Sequence, residues 1–280
     1  MDKGRDLVQV VGGVAASDGA GVQLQRIIGS PELDMLDPFL MLDAFGSDKP
    51  NDYIAGFPSH PHRGFETVTY IIAGRMRHKD STGREGVIGP GDVQWMTAGK
   101  GIIHSEMPEQ EEGLLMGFQL WVNLPASAKM TEPVYQEFLA EEIPLSTLED
   151  GSKIRVICGQ TNSGVAGIVS NDYVTPTFMD ITLPNGNTLQ QDLPENDNAF
   201  IYVLEGSLNI NEDTLENKKL GVLGKGKTVV VSAVGADARF ILVAGQPINE
   251  PVARAGPFVM NTKEEVVQAF QDYQQNRFQE

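Results

Sequence analysis

The run His60-Pro61-His62-Arg63-Gly64-Phe65-Glu66-Thr67-Val68-Thr69-Tyr70-Ile71-Ile72 carries two patterns at once. Its second half, from Thr67 to Ile72, is β-branched and aromatic and is closed by Gly74, the composition of a strand packed on a core. Its first half sets two histidines two residues apart. In extended backbone that spacing points both imidazoles to one face. Pro61 biases His60 towards the extended region and, lacking an N–H, puts the stretch at a sheet edge or strand start.

Strand signals continue outward from this run. Val93 to Thr97 follows a Gly-Pro-Gly-Asp turn. Leu114 to Leu124 alternates, with Met116, Phe118, Leu120, Val122 and Leu124 on one face. Lys153 to Cys158, Thr177 to Leu183, Ala199 to Leu204, Thr228 to Ser232 and Arg239 to Val243 read the same way. Many short strands separated by glycine and proline turns predict an all-β sandwich or barrel. One helix is predicted at the C-terminus. Thr262 and Glu265 have capping-box spacing, and Val266, Phe270 and Tyr273 follow on one face.

The chain also repeats itself faintly. Tyr70-Ile71-Ile72-Ala73-Gly74 resembles Tyr202-Val203-Leu204-Glu205-Gly206, and Val87-Ile88-Gly89-Pro90-Gly91 resembles Val222-Leu223-Gly224-Lys225-Gly226. Two related units suit 280 residues. The break is expected between Tyr135 and Gly151, giving blocks 1–138 and 139–280, the second ending in the helix.

Composition narrows the class of function. A net charge of −17 repels phosphate, so direct nucleic-acid binding and anionic membrane surfaces are not expected. The single cysteine, Cys158, permits no internal disulfide. No signal-peptide core opens the chain, and no apolar run is long enough to cross a bilayer. These features predict a soluble, intracellular protein, expected in the cytoplasm; a monomer is expected.

All four histidines lie between positions 60 and 104. His104 and Glu106 repeat the two-residue spacing of His60 and His62, and the glycines at 99 and 101 permit a bend just before them. Two such pairs on neighbouring strands would aim three imidazoles and one carboxylate at one point. That donor set suits Fe(II), Mn(II), Ni(II), Cu(II) or Zn(II). By parity Glu66 is an alternative carboxylate. His78 sits among Arg75, Arg77 and Lys79 and reads as a solvated loop residue. Carrying the repeat offset forward from His104 and Glu106 leads to Arg239 and Ile241, and the second half contains no histidine, so one metal site is expected.

The run from His60 resembles the first cupin motif, and Gly91-Asp92-Val93-Gln94-Trp95-Met96-Thr97-Ala98-Gly99-Lys100-Gly101-Ile102-Ile103-His104-Ser105-Glu106 resembles the second. The wording is closest to the pirin family. Further matches are Pro31-Glu32-Leu33, Asp37-Pro38-Phe39-Leu40, Gln119-Leu120-Trp121-Val122-Asn123-Leu124 and Gly256-Pro257-Phe258-Val259-Met260-Asn261-Thr262. The resemblance implies a bicupin, two β-barrels with Fe(II)/Fe(III) in the N-terminal one only, held by His60, His62, His104 and Glu106. Glu66, the motif-one glutamate that general cupins use, is then structural or an outer partner of the ligands.

The resemblance also implies an activity. It is a quercetin 2,3-dioxygenase-type reaction on a flavonol and dioxygen, with Glu106 in the catalytic role of taking the hydroxyl proton. Phe57, Phe65, Trp95, Met96, Met107, Met116 and Phe118 are candidates for an apolar pocket. A second implied role is a redox-dependent nuclear co-regulator that docks a Rel-type transcription factor. A third reading leaves the metal purely structural.

Overall fold

The computed structural model describes residues 4–278. Among these residues the architecture is all-β apart from two 3-10 turns and one α-helix, Lys263–Gln274. The chain forms two compact units. One comprises Val14–Met35, Phe39–Ala140 and Ile248–Glu280; the other comprises Met1–Gly13, Leu36–Pro38 and Glu141–Pro247. The termini are therefore exchanged relative to a simple division into 1–138 and 139–280. The C-terminal tail, assigned from sequence to the second block, belongs to the unit that carries the histidines.

Each unit pairs a seven-stranded sheet with a four-stranded one, hydrogen-bonded as separate ladders rather than one closed ring. In the histidine-bearing unit the large sheet runs Val134–Phe138, Val93–Thr97, Phe65–Ala73, Leu115–Asn123, Phe39–Ser47, Val22–Ile28 and Val14–Asp18. The small sheet runs Phe57–His62, Ile102–Pro108, Met76–Asp80 and Glu85–Ile88. The other unit repeats both orders, with Leu7–Val11 at the edge that Val134–Phe138 occupies in its counterpart. This is the bicupin architecture.

The repeat is real, but its second offset is corrected. Phe65–Ala73 and Asn198–Glu205 hold the same place in their sheets, so Tyr70 and Tyr202 correspond. Ile102–Pro108 corresponds to Thr228–Ala233, not to the strand Ala238–Gly245 that bears Arg239 and Ile241. Gly101 and Gly226, both at φ 150°, open these two strands. Val229 and Val231 then stand where His104 and Glu106 do. Both valines are buried in an apolar core with Leu189, Ile201 and Phe240. The hairpin of Leu208–Ile210 and Asp213–Leu215 is shorter than its counterpart of Met76–Asp80 and Glu85–Ile88, which explains the changed offset.

The helix begins as its sequence requires. Thr262 Oγ1 accepts from Glu265 N–H, and the Glu265 carboxylate accepts from Thr262 N–H, satisfying two donors at the helix start. Phe258 packs against Phe270 and Phe278, with ring centroids 4.7 and 5.3 Å away. Lys129, buried, donates to the carbonyls of Gly64 and Val259 and to Asn123 Oδ1, joining the tail to the sheet beside the histidines. No helix among the described residues is long and apolar enough to cross a membrane.

Candidate metal centre

Strands Phe57–His62 and Ile102–Pro108 are antiparallel neighbours, and His104 lies directly opposite His60. A register shift follows between His104 and Glu106. The three rings cluster, with centroid separations of 4.5 Å for His60 and His104, 4.7 Å for His60 and His62, and 5.0 Å for His62 and His104. One nitrogen from each ring lies within 4.8 Å of the others.

The tautomer of His60 follows from its partners. Its Nδ1 is 2.8 Å from the Pro58 carbonyl, which can only accept, so the neutral ring carries its proton there. Nε2 then presents a lone pair, 2.9 Å from His62 Nε2. Burial holds His62 well below the usual imidazole range, and the neighbouring His104 and His60 add to this. His104 is lowered for the same reasons, first by burial and then by His60 and His78. Both rings are thus neutral and available as ligands near pH 7.

Among the described residues, His62 Nδ1 and both nitrogens of His104 are buried without a hydrogen-bond partner. Each such orphan costs about 1–3 kcal/mol. Three converging imidazoles, with buried nitrogens on His62 and His104 left unpartnered, are the donor set a borderline transition-metal ion takes. The residues therefore fit a metal ion.

Glu106 is buried and borders the same cavity as His60 and His62, but its oxygens lie outside the 4.8 Å cluster. The Thr69 hydroxyl donates to its Oε1 at 2.9 Å. Burial pushes the Glu106 carboxyl up, while His60, the Thr69 hydrogen bond and His78 oppose the shift. Glu66 is equally buried but does not border the cavity; it accepts from Thr97 Oγ1 at 2.7 Å. Glu66 and Thr69 are three apart on one strand, so they project from opposite faces.

His78 corrects the sequence reading. It lies on strand Met76–Asp80 and is buried, while Arg77 and Lys79 alternate outward. It sits opposite Glu106 in the ladder, and its Nε2 is 2.6 Å from Glu137 Oε2. Strand parity was the missed signal: two outward charges at 77 and 79 imply an inward residue at 78.

The cavity above the histidines measures about 810 Å³. Of the seven apolar candidates only Phe57 borders it; its other aromatic walls are Phe45 and Trp121. Phe65, Trp95, Met96 and Phe118 are core residues instead. On Leu115–Asn123 the apolar face carrying Phe118, Leu120 and Val122 turns away, and Gln119 and Trp121 face the cavity. Arg26 and the tail residues Arg254 to Pro257 complete its rim.

Arg63, next to His62, anchors this region. Its guanidinium donates to the carbonyl of Lys100, to Asp272 Oδ2 at 2.7 Å and to the Phe278 carbonyl at 2.9 Å, and stacks on the Phe278 ring.

Comparison with known proteins agrees with this geometry. The family model described as pirin matches residues 21–122, and the pirin C-terminal cupin domain matches residues 178–279. A pirin-like protein of Caulobacter vibrioides is 53% identical over 98% of this chain and 99% of its own length. Human pirin is 46% identical over 92% of this chain and 88% of its own. A crystal structure of quercetin 2,3-dioxygenase from Acinetobacter baumannii superposes with a TM-score of 0.89 at 36% identity, covering 98% of both chains. With family models spanning most of its length and a relative more than half identical from end to end, this chain belongs to the pirin family.

Proposed function

We propose that this chain is a mononuclear iron protein with quercetin 2,3-dioxygenase-type activity, its iron held by His60, His62, His104 and Glu106. The observation that carries this reading is the set of three converging imidazoles, with orphaned buried nitrogens on His62 and His104, beside a cavity of about 810 Å³. The likeness to the Acinetobacter baumannii dioxygenase supports it. When bound, iron supplies Lewis acidity towards a flavonol hydroxyl and a redox centre for dioxygen.

The protein's own residues do the rest. Glu106, raised by burial, accepts the substrate's hydroxyl proton at its carboxylate. Phe45, Phe57 and Trp121 give a planar ring system an apolar, aromatic wall. Pro58, through its carbonyl, keeps the His60 proton on Nδ1 and Nε2 free for the metal.

The test is metal analysis together with dioxygen uptake on quercetin, for wild type and His62→Ala. Wild type is expected to hold one iron and consume dioxygen, and the variant to lose both. Full iron occupancy in the variant would overturn the ligand assignment. Iron-loaded wild type that consumes no dioxygen would overturn the enzymatic reading and favour redox-dependent docking of a partner protein.

A further inference from the structure

Six polar side chains stand in one register row across the seven-stranded sheet. In order they are Arg26, Asp43, Gln119, Thr69, Gln94 and Glu137, each directly opposite the next on the adjoining strand. Residues in one row share a face of the sheet. Arg26 binds Asp43 through two hydrogen bonds, at 2.9 and 2.7 Å, and Gln94 donates to Glu137 at 2.7 Å. Two members of the row reach across to the facing sheet: Glu137, which meets His78, and the middle pair, which meets Glu106. Thr69 Oγ1 lies 2.7 Å from the Gln119 amide and 2.9 Å from Glu106 Oε1.

A hydroxyl has one proton to give. Glu106, ionised as a ligand must be, can only accept. Both short contacts are satisfied together when the Gln119 amide turns its NH2 to Thr69 Oγ1 and the Thr69 hydroxyl donates to Glu106. Amide oxygen and nitrogen are interchangeable by a simple flip, so this costs no rearrangement of the backbone. Thr69 is buried at mid-strand with a ladder partner on either side, which fixes the direction of its hydroxyl.

We infer that Thr69, backed by Gln119, is a positioning residue for the metal centre: it orients the Glu106 carboxylate towards the three imidazoles. This rests on the reading of Glu106 as fourth ligand. A hydrogen bond that fixes one carboxylate oxygen leaves the other to be aimed, and removing such an outer partner typically costs about 10–100-fold in metal affinity.

The experiment uses cobalt(II) as a spectroscopic probe, with affinity read by chelator competition and ligand geometry by the visible absorption band. Thr69→Val, nearly isosteric, is expected to weaken cobalt binding about 10–100-fold and shift the band. Thr69→Ser is expected to restore both, and Gln119→Leu to weaken binding in the same direction. In a Glu106→Ala background, Thr69→Val is expected to add no more than about twofold, because coupled groups are not additive. Melting of the metal-free variants checks that each is folded. If Glu106→Ala weakens binding and Thr69→Val does not, the positioning role falls alone. An equal loss on Thr69→Val in both backgrounds overturns it likewise. If Glu106→Ala leaves affinity unchanged, the ligand reading falls and takes the positioning role with it.

Discussion

A Cβ built on Gly86 would stand 2.5 Å from His78 Nε2 and 2.9 Å from Glu137 Oε1. Glycine at 86 is thus the space in which the His78–Glu137 contact is made. Gly86→Ala is expected to displace the imidazole and destabilise the fold by about 1–3 kcal/mol, read as a lower melting temperature. The contact also has an acid signature. Its hydrogen bond to His78, first among the causes, holds Glu137 below the ordinary value of 4.5, so its contribution is complete above about 4.5 and is lost as pH falls through the lower folded value. Gly86→Ala should flatten that acid limb; an unchanged limb would show that the pair contributes nothing. At this scale much of the site was legible. His60, His62 and His104 declared themselves because strand parity is a local rule. His78 did not, because its charged neighbours suggested solvent while the same parity, applied to Arg77 and Lys79, turns it inward. The fourth ligand was legible only as a choice between Glu66 and Glu106, and parity relative to Thr69 separates them once the strand limits are known.

Elements were legible where their signals are local and opaque where they depend on distant partners. The strands Val93–Thr97, Lys153–Cys158 and Thr177–Leu183 lie where β-branched runs and turns put them, and the helix starts at its capping box. Alternation along Leu115–Asn123 shows two unlike faces but not which one meets the cavity: Met116 and Phe118 stand on the apolar face, and Gln119 and Trp121 on the one that lines it. The tail's docking was equally invisible, since Arg63 and Asp272 are 209 positions apart. That ion pair predicts how the tail responds to acid. The Arg63 hydrogen bond, first among the causes, holds the Asp272 carboxyl below its ordinary value of 3.8. A depressed carboxyl contributes stability above about 3.8 that is lost as pH falls through the folded value. Asp272→Ala removes the same contribution at neutral pH and leaves a buried guanidinium with carbonyl acceptors alone. A loss of about 1–3 kcal/mol is expected, with faster amide exchange in Lys263–Gln274. Because Arg63 adjoins His62, metal affinity should fall with it; exchange that stays slow in the variant would show that Phe258 and Lys129 suffice to hold the tail.

For the molecule as a whole, the sequence revealed a duplication but not the exchange of its ends. Tyr70 and Tyr202 mark equivalent central strands, yet nothing in a linear pattern gives the register that puts Leu7–Val11 against Leu220–Leu223. Arg5 secures that exchange. It is buried, and its guanidinium donates to the carbonyls of Pro194, Asp197 and Gly226 at 2.7, 2.7 and 2.8 Å. Burial lowers its pKa, opposed by Asp197, so these three carbonyls, with that of Gly224 at 3.3 Å, hold a cation that water no longer solvates. Arg5→Ala leaves those carbonyls without their donor, at an expected cost of about 2–4 kcal/mol. The loss should fall on one unit only, because Arg5, its acceptors and the core around Val229 and Val231 all belong to the unit without histidines. Calorimetry should therefore show one transition moving down by several degrees, while cobalt titration of the folded variant gives the wild-type affinity at His60, His62 and His104. A variant that melts unchanged would mean that the Leu7–Val11 ladder alone holds the N-terminal strand. A variant that is folded at the titration temperature and still loses cobalt would mean that the dry unit sets the geometry of the metal-binding one, and the two cores would then have to be treated as a single cooperative body.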